Sequence, residues 1–237
     1  MCESCRGRQN LFSTSRKILF RKKGATNAKK IFLETEGNAY FDRNETVSIH
    51  DFQKDPIVEA VSFCLDRDFV FPKCLLEVGC GQGARLHWIS RQLDLECHGI
   101  DPSLKAIEAA QAKGVRAVRG TADLLPFEDC SFDILVFGFC LYVCDPEDLF
   151  KIACEANRVL KSEGWLIIRD FYARDSKFVP YSHDARVRSH KMNFRTLFDW
   201  HPFFNCLHHE IVNHGDMDGC DDENEWIATS VLRKRKI

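Results

Sequence analysis

The chain has 237 residues, of which 45% are apolar and 29% are charged, with a net charge of −2 at pH 7. This composition is typical of a soluble globular protein and excludes a disordered or fibrous chain. No apolar run approaches the ~18 residues that a transmembrane helix requires, so we expect no membrane span.

The first thirty residues are strongly basic: nine Lys and Arg residues face a single acid, Glu3. Such a segment is typical of a solvated terminus, with an anionic partner or a transit peptide as the functional alternatives. We therefore predict a poorly ordered basic arm over residues 1–30 and a single domain over residues 31–237.

The twelve cysteines do not indicate a disulfide framework, because five of them lie inside apolar runs: Cys64, Cys74, Cys97, Cys140 and Cys154. There they are expected to be small buried hydrophobes in a reducing compartment, so we expect a cytoplasmic protein. Cys2-Glu-Ser-Cys5 is a lone C-x-x-C without a second ligand pair, and no metal site is expected.

Helix and strand patterns alternate from Asp55 onward. Asp-Pro pairs at Asp55 and Asp145 predict helix starts with an Asp N-cap and Pro at the first position. The predicted strands are Cys74–Glu77, Glu96–Ile100, Val115–Val118, Phe132–Phe137 and Trp165–Arg169. Strands separated by helices predict a β-α-β series with a mostly parallel sheet.

The pattern changes after Phe171. Two strand-like runs, Cys206–Val212 and Glu225–Leu232, follow each other with an acidic loop and no helix between them. Neighbouring strands without a crossover helix pair antiparallel, so the chain is expected to end in a hairpin.

Two glycine templates fit the turn after the first strand. Gly79, Gly81 and Ala84 match the dinucleotide pattern G-x-G-x-x-G/A, whereas Gly79, Gly81 and Gly83 with Glu77 match E/D-x-G-x-G-x-G. A carboxylate at Glu77 would repel the pyrophosphate of a dinucleotide but suits the ammonium and sulfonium groups of S-adenosylmethionine. The second template is therefore favoured. Asp101, after the second strand, can accept hydrogen bonds from ribose hydroxyls in either case.

Four motifs together resemble the class I S-adenosylmethionine-dependent methyltransferases: Glu77-Val-Gly-Cys-Gly-Gln-Gly83, Gly99-Ile-Asp-Pro102, Leu125-Pro-Phe127 and Arg158-Val-Leu-Lys-Ser-Glu-Gly164. The resemblance covers residues 31 to the C-terminus. It implies a Rossmann-like, doubly wound α/β fold whose mostly parallel seven-stranded sheet ends in an antiparallel hairpin. It also implies S-adenosylmethionine as the cofactor.

The resemblance further implies roles for individual residues. Those expected to hold the methionine portion are Glu77, Gly79, Gly81 and Gly83. Asp101 and Pro102 are expected at the ribose. The adenine is expected beside Thr121, Ala122 and Asp123, and the sulfonium beside Phe137 and Gly138. Thr121 stands where many relatives have Asp, and its hydroxyl can also accept a hydrogen bond from the adenine amino group.

Three further stretches look like bacterial methyltransferases associated with surface sugars, including pseudaminic-acid-related ones: Glu36–Asn44, Phe137–Asp145, and Tyr181-Ser-His183 with Ser189–Asn193. That likeness implies that Tyr40, Arg43 and Asn44 form a lid and that Arg43 meets the cofactor carboxylate. An amphipathic helix with an exposed Arg43 is the structural alternative.

The favoured function is an O- or N-methyltransferase acting on a small polar molecule, with a sugar or sugar nucleotide as the acceptor. Nucleic acid is not expected, because Phe137-Gly-Phe-Cys140 lacks the D/N/S-P-P-aromatic motif of amino-directed DNA methyltransferases and no basic stripe with aromatics is evident. A non-catalytic cofactor-binding protein is the main alternative, and a nicotinamide dehydrogenase ranks third. The oligomeric state is left open.

A hydroxyl acceptor must lose a proton, which a general base can take. Loops at the carboxyl ends of the strands face the ligand crevice, and they offer Tyr142, Asp170 and His183 as candidate catalytic residues. Among these, His183 has the ordinary pKa best suited to physiological pH.

Overall fold

The computed structural model describes residues 27–44, 51–68, 72–213 and 222–236. Its helices are α1 (Ala28–Ile31), α2 (Gly37–Asn44), α3 (Pro56–Leu65), α4 (Ala84–Gln92), α5 (Leu104–Ala112), α6 (Leu149–Val159) and α7 (Thr196–Asp199). Its strands are β1 (Cys74–Val78), β2 (Glu96–Asp101), β3 (Arg116–Arg119), β4 (Phe132–Gly138), β5 (Leu160–Phe171), β6 (Lys177–Pro180), β7 (Arg188–Lys191), β8 (Phe204–Asn213) and β9 (Trp226–Lys234). A π-helical turn, Phe32–Glu36, joins α1 to α2.

Seven strands form one sheet in the order β3-β2-β1-β4-β5-β9-β8. The strands β1 to β5 run parallel, and β9 pairs antiparallel with both β5 and β8. This confirms the predicted Rossmann-like sheet with a C-terminal antiparallel hairpin. The strands β6 and β7 form a separate two-stranded hairpin.

Both faces of the sheet are covered, because successive strand residues point to opposite sides. Leu75 packs in the cluster formed with α3, α4 and α5, whereas Leu76 packs in the cluster formed with α6 and α7. Ile134 and Leu135 in β4 divide in the same way. This double coverage explains why the parallel strands are continuous apolar runs in the sequence.

The two predicted Asp-Pro helix starts have different outcomes. Asp55 caps α3 as expected, since its carboxylate accepts hydrogen bonds from the N–H groups of Ile57 and Val58. After Asp145, residues 146–148 form a 3₁₀ turn, and α6 begins only at Leu149. The Asp145 carboxylate instead accepts hydrogen bonds from the backbone of Ala28 and Lys29 at the start of α1.

Part of the predicted basic arm belongs to the folded domain. Residues 1–26 lie outside the described residues, as do Cys2 and Cys5. Residues 27–30 are described, and Ala28 in α1 is only 1% exposed. None of the described helices combines the length and apolarity that a membrane span requires.

The cysteine prediction is confirmed for Cys64 and Cys97, which are buried. Cys74 and Cys140 are partly buried, and Cys154 is exposed. Burial of Cys154 was a wrong prediction, because α6 turns Ile152, Ala153 and Ala156 toward the core and leaves Cys154 on its outer face.

Candidate functional site: a cavity at the carboxyl ends of the central strands

A cavity of about 730 Å³ lies beyond the carboxyl ends of β1, β2 and β4. The strand order reverses between β1 and β4, and open α/β sheets bind their ligands at such a switch point. Loops after these strands form one wall, and the helical segment 28–44 covers the other side with Lys29, Phe32, Gly37, Tyr40, Phe41 and Asn44.

The glycine turn meets this cavity through its first two glycines. Gly79 and Gly81 line the cavity and have φ of 78° and 52°, in the left-handed region that favours glycine. A Cβ on Gly81 would meet no atom within 4 Å, so the backbone here borders open space. Gly83 does not line the cavity: a Cβ there would lie 2.8 Å from Cβ of Ala110, so this glycine lets α4 pack against α5.

Asp101 lies at the end of β2 and lines the cavity. Its carboxylate accepts hydrogen bonds from the N–H groups of Gly81 at 3.0 Å and Ser103 at 2.8 Å. Burial raises the pKa of Asp101, and these two hydrogen bonds oppose the rise. Each oxygen keeps a second lone pair, so the carboxylate can accept two further hydrogen bonds from a diol.

Glu77 is 2% exposed and does not line the cavity. Arg85 donates to Oε1 of Glu77 from Nε at 3.1 Å and Nη2 at 2.8 Å, and its Nη1 donates to Asp55 at 2.8 Å. Burial raises the pKa of Glu77, while the charge of Arg85 lowers it. Glu77 is thus held in an ion pair with Arg85, which itself lines the cavity. The contact of Glu77 with a cofactor that the motif predicts stays a prediction.

Thr121, Ala122 and Asp123 line the end of the cavity beside β3, as does Pro102 beside β2. Lys29 donates hydrogen bonds to Asp123 and Asp148, both at 2.7 Å, and joins α1 to this end. Burial raises the pKa of Asp123, but hydrogen bonds from Lys29, Thr121 and Lys151 outweigh it and bring that pKa to about 2.

The helical segment places Tyr40 and Asn44 on the cavity but turns Arg43 away from it. Arg43 pairs with the buried Glu36, and the hydroxyl of Tyr181 donates to the same Glu36 carboxylate at 2.9 Å. These contacts link α2 to the β6–β7 hairpin, and the predicted contact between Arg43 and a cofactor carboxylate stays a prediction.

Of the two residues predicted at the sulfonium, one lies at the cavity and the other in the core. Gly138 lines the cavity, whereas the Phe137 side chain is fully buried in the core on the α6 side of the sheet. Phe137 therefore packs in the core behind the cavity wall and does not itself line the cavity.

Of the three predicted bases, the structure brings only Tyr142 to the cavity. Burial raises the pKa of Tyr142 far above its ordinary value, so its phenol stays protonated. Asp170 is 2% exposed and accepts hydrogen bonds from the N–H groups of Leu141 and Phe171, both at 2.8 Å. His183 is exposed and packs edge-on against Tyr181, with ring centroids 5.3 Å apart, outside the cavity.

Sequence reasoning did not find Arg85 and Lys29. Arg85 could have been predicted from its position in the first turn of α4, because a long side chain there can reach back to Glu77 at the end of β1. Lys29 was counted in the basic arm, and only the fold brings it to Asp123. Among the described residues, no group of three or more His, Cys, Asp or Glu side chains could hold a metal ion.

Solved structures of S-adenosylmethionine-dependent methyltransferases share this fold. A family model described as "Methyltransferase domain" matches residues 76–168, which run from β1 into β5 and include the cavity's glycine turn, Asp101 and Asp123.

The chain is similar to an uncharacterized methyltransferase, YcgJ, of Bacillus subtilis, with 34% identity over 142 residues that cover 55% of this chain and 54% of the relative. It is also 34% identical over 103 residues to phthiotriol/phenolphthiotriol dimycocerosates methyltransferase 1 of Mycobacterium ulcerans, covering 41% of this chain and 37% of that protein. The chain thus spans about half or less of the length of the curated relatives it matches.

A solved structure is similar over a longer stretch. The 1,6-didemethyltoxoflavin-N1-methyltransferase of Burkholderia thailandensis, crystallised with 1,6-didemethyltoxoflavin and S-adenosylhomocysteine, superposes with a TM-score of 0.66. The superposition covers 90% of this chain and 91% of that one at 14% identity. At this identity, the likeness shows the shared fold.

Proposed function

We propose that the protein is an S-adenosylmethionine-dependent methyltransferase that transfers a methyl group to an oxygen or nitrogen of a small molecule. The observation that carries the proposal is the cavity at the β1/β4 switch point, into which Gly81 presents open backbone and Asp101 a carboxylate. The match of residues 76–168 to the methyltransferase domain model supports it.

The residues around the cavity fit the cofactor. Gly79 and Gly81 let the methionine portion approach the backbone, and Asp101 accepts hydrogen bonds from two ribose hydroxyls. Thr121, Ala122 and Asp123 border the adenine. Arg85 pairs with both Glu77 and Asp55, so two carboxylates lie behind the wall beside the glycine turn, and Arg169 lies close enough to interact with Asp55.

The bound cofactor supplies an already activated methyl group, so the protein has mainly to align the acceptor with the methyl carbon and the sulfur. Alignment of this kind can lower a barrier by roughly 7–11 kcal/mol. Tyr142, protonated and at the cavity wall, can donate a hydrogen bond to the acceptor and so orient it. Asp170 acts through the backbone of Leu141, which precedes Tyr142, and is a positioning residue in this proposal.

A small-molecule acceptor agrees with the structural neighbour from Burkholderia, which was crystallised with 1,6-didemethyltoxoflavin. The resemblance of this sequence to surface-sugar methyltransferases adds sugars and sugar nucleotides to the candidate acceptors.

The test is ligand-dependent unfolding of the full chain, followed by an acceptor screen. S-adenosylhomocysteine should raise the melting temperature, because a ligand that binds only the folded state stabilises it by mass action, and NAD should leave it unchanged. Stabilisation by NAD without stabilisation by S-adenosylhomocysteine would overturn the proposal. Cofactor binding without S-adenosylhomocysteine release from any acceptor would support the non-catalytic alternative.

A further inference from the structure

The acceptor end of the cavity can be located from the sheet order. Asp101 and Thr121–Asp123 follow β2 and β3, and the glycine turn follows β1, so the nucleoside and methionine portions of the cofactor extend from β3 toward β1. The acceptor must then enter on the side of β4. This step rests on the proposed function.

Aromatic side chains line the cavity, and two of them come from the segment that follows β4. Phe139 and Tyr142 follow β4, Tyr40 and Phe41 come from α2, and Phe52 precedes α3, and all five line the cavity. Flat rings on several sides favour a flat ligand, because offset and edge-to-face contacts between rings add attraction beyond the area buried.

The two rings after β4 are held in fixed orientations. Phe171 packs edge-on against both Phe139 and Tyr142, with ring centroids 5.7 and 5.0 Å away. Phe139 also has φ of 52°, a left-handed conformation that costs a non-glycine residue free energy. Strained residues of this kind concentrate at ligand sites, where the surrounding structure holds them in place.

The phenol groups supply polar contacts without charge. Burial raises the pKa of both Tyr40 and Tyr142, so both hydroxyls stay protonated. Across the described residues, no hydrogen bond ties either hydroxyl to another group, and both residues line the cavity. Each hydroxyl can therefore donate to an acceptor atom of a ligand.

The charges around the cavity oppose an anionic acceptor. Within the described part of the chain, the charged lining residues are Asp55, Asp101, Asp123, Asp145, Asp148, Lys29 and Arg85. Both cations already pair with carboxylates: Lys29 with Asp123 and Asp148, and Arg85 with Asp55 and Glu77. Arg169 and Lys191 lie against the rings of Phe139 and Phe171 but do not line the cavity. The lining itself therefore carries more carboxylates than cations, which disfavours a phosphate or carboxylate.

We infer that the methyl acceptor is a planar aromatic or heteroaromatic molecule, neutral or cationic, that carries a hydroxyl or nitrogen nucleophile. A sugar nucleotide is disfavoured by its phosphates. In the transfer, the bond from methyl carbon to sulfur breaks, its electron pair stays on sulfur, and a bond to the acceptor oxygen or nitrogen forms. The acceptor's proton leaves to solvent, and S-adenosylhomocysteine is the other product.

A matched series of probes tests the inference on the full chain. 4-Hydroxybenzamide, 4-hydroxybenzylamine and 4-hydroxybenzoate share one ring and differ in charge, 6-hydroxyquinoline has two rings, and UDP-glucose represents the sugar nucleotides. Each is added to the protein saturated with S-adenosylhomocysteine, and the melting temperature is recorded. Each is also incubated with S-adenosylmethionine, and release of S-adenosylhomocysteine is measured.

The neutral and cationic planar probes should stabilise the complex, and 4-hydroxybenzoate and UDP-glucose should not. Stronger stabilisation or faster methylation with either anionic probe, or no stabilisation by any planar probe, overturns the inference. Absence of stabilisation by S-adenosylhomocysteine itself overturns the proposed function instead, so the two failures are distinct.

Variants separate the aromatic end from the cofactor end. Phe139→Leu and Tyr142→Phe should weaken binding of the best planar probe about fivefold, as loss of one aromatic or hydrogen-bonding contact implies. Their affinity for S-adenosylhomocysteine should stay within about threefold of the parent, which also shows that they fold. Trp200→Leu, at a 65% exposed position outside the cavity, is the matched control and should change neither affinity. Unchanged probe binding in both cavity variants would contradict the inference.

Discussion

Arg85 donates two hydrogen bonds to a single carboxylate oxygen of Glu77, at 3.1 and 2.8 Å, in a place where Glu77 is almost completely buried. The Nη1 group of Arg85 donates a third hydrogen bond to the carboxylate of Asp55, which is also buried. Arg85 thus binds two carboxylates from different elements, Glu77 in β1 and Asp55 at the start of α3, and it fixes these two elements against each other.

Removal of this cation should be strongly destabilising. Arg85→Met removes the cation that pairs with both buried carboxylates, and breaking a buried pair in this way costs about 3–5 kcal/mol. Urea unfolding at pH 7 measures the loss. The double variant Arg85→Met, Glu77→Gln should recover part of it, because one of the uncompensated charges is gone. A loss below about 1 kcal/mol in the single variant would show that the pair contributes little.

A second prediction separates cofactor contact from backbone strain. Gly81 and Gly114 both have positive φ, 52° and 81°, and a Cβ on either would meet nothing within 4 Å. Alanine at each position should therefore cost a similar 1–2 kcal/mol of stability. Only Gly81 lines the cavity, so Gly81→Ala should lose most of its affinity for S-adenosylhomocysteine while Gly114→Ala keeps it. Calorimetric titration gives both affinities, and equal values would remove the assignment of the glycine turn.

The sequence predicted those parts of the site whose geometry is local. The turn Gly79–Gly83 and the acid after β2 depend on short segments and on the parallel order of the strands, which apolar runs reveal. Arg85 and Lys29 could not be found in this way, since their roles depend on partners 8 to 119 residues away. The same holds for Arg43, whose partner Glu36 is shared with Tyr181 on a distant hairpin.

In the fold, too, the elements set by local sequence patterns could be predicted and those set by distant contacts could not. The α/β series and the terminal hairpin follow from periodicity, but the β6–β7 hairpin does not, because Ser189, His190 and Lys191 are consecutive polar residues that are all buried. Asp145 carries a good N-cap signal, yet its carboxylate is used by α1. Tertiary contacts replaced the local preference at both places.

A third prediction concerns the limits of the basic arm that the sequence predicts over residues 1–30, of which residues 1–26 lie outside the described residues. Deletion of residues 1–26 should leave the melting temperature and S-adenosylhomocysteine affinity nearly unchanged. Deletion of residues 1–30 should weaken both, because it also removes the buried Ala28 and the contacts of Lys29 with Asp123 and Asp148. The variant Lys29→Met in the full chain tests the ion pairs alone. A large loss with the shorter deletion would mean that the arm packs on the domain.

A fourth prediction uses the strained backbone of Phe139. At most positions glycine is less stable than alanine, by roughly 0.5–1 kcal/mol in regular structure. At φ of 52° the order should reverse, since alanine there carries a left-handed penalty of about 1–2 kcal/mol that glycine avoids. Both variants lose the ring, so their difference in unfolding free energy reports the strain at this position together with the ordinary advantage of alanine over glycine. A Phe139→Ala variant that is more stable than Phe139→Gly by the ordinary amount, about 0.5–1 kcal/mol, would show that no strain is present.

The last prediction is a pH dependence from Asp170. Burial raises the pKa of its carboxyl to about 7, although backbone N–H groups that include those of Phe171 and Leu141 oppose the rise. In the unfolded chain an Asp has a pKa of about 3.9. The folded state therefore holds this proton more tightly, and the stability that the proton contributes is complete below about pH 4. It is lost as the pH rises to about 7, by an amount of up to roughly 4 kcal/mol.

The measurement is urea unfolding of the parent and of Asp170→Asn at intervals from pH 4 to pH 8. Because the asparagine does not titrate, the parent should lose stability relative to this variant across the interval and run parallel to it above pH 7 to 8. Asp66→Asn, at an exposed position, is the control and should follow the parent throughout. A constant difference between the parent and Asp170→Asn would mean that Asp170 is already ionised in the folded protein near pH 4, with its charge stabilised by the N–H groups around it. In that case the carboxylate would hold the loop that bears Tyr142 over the whole pH range.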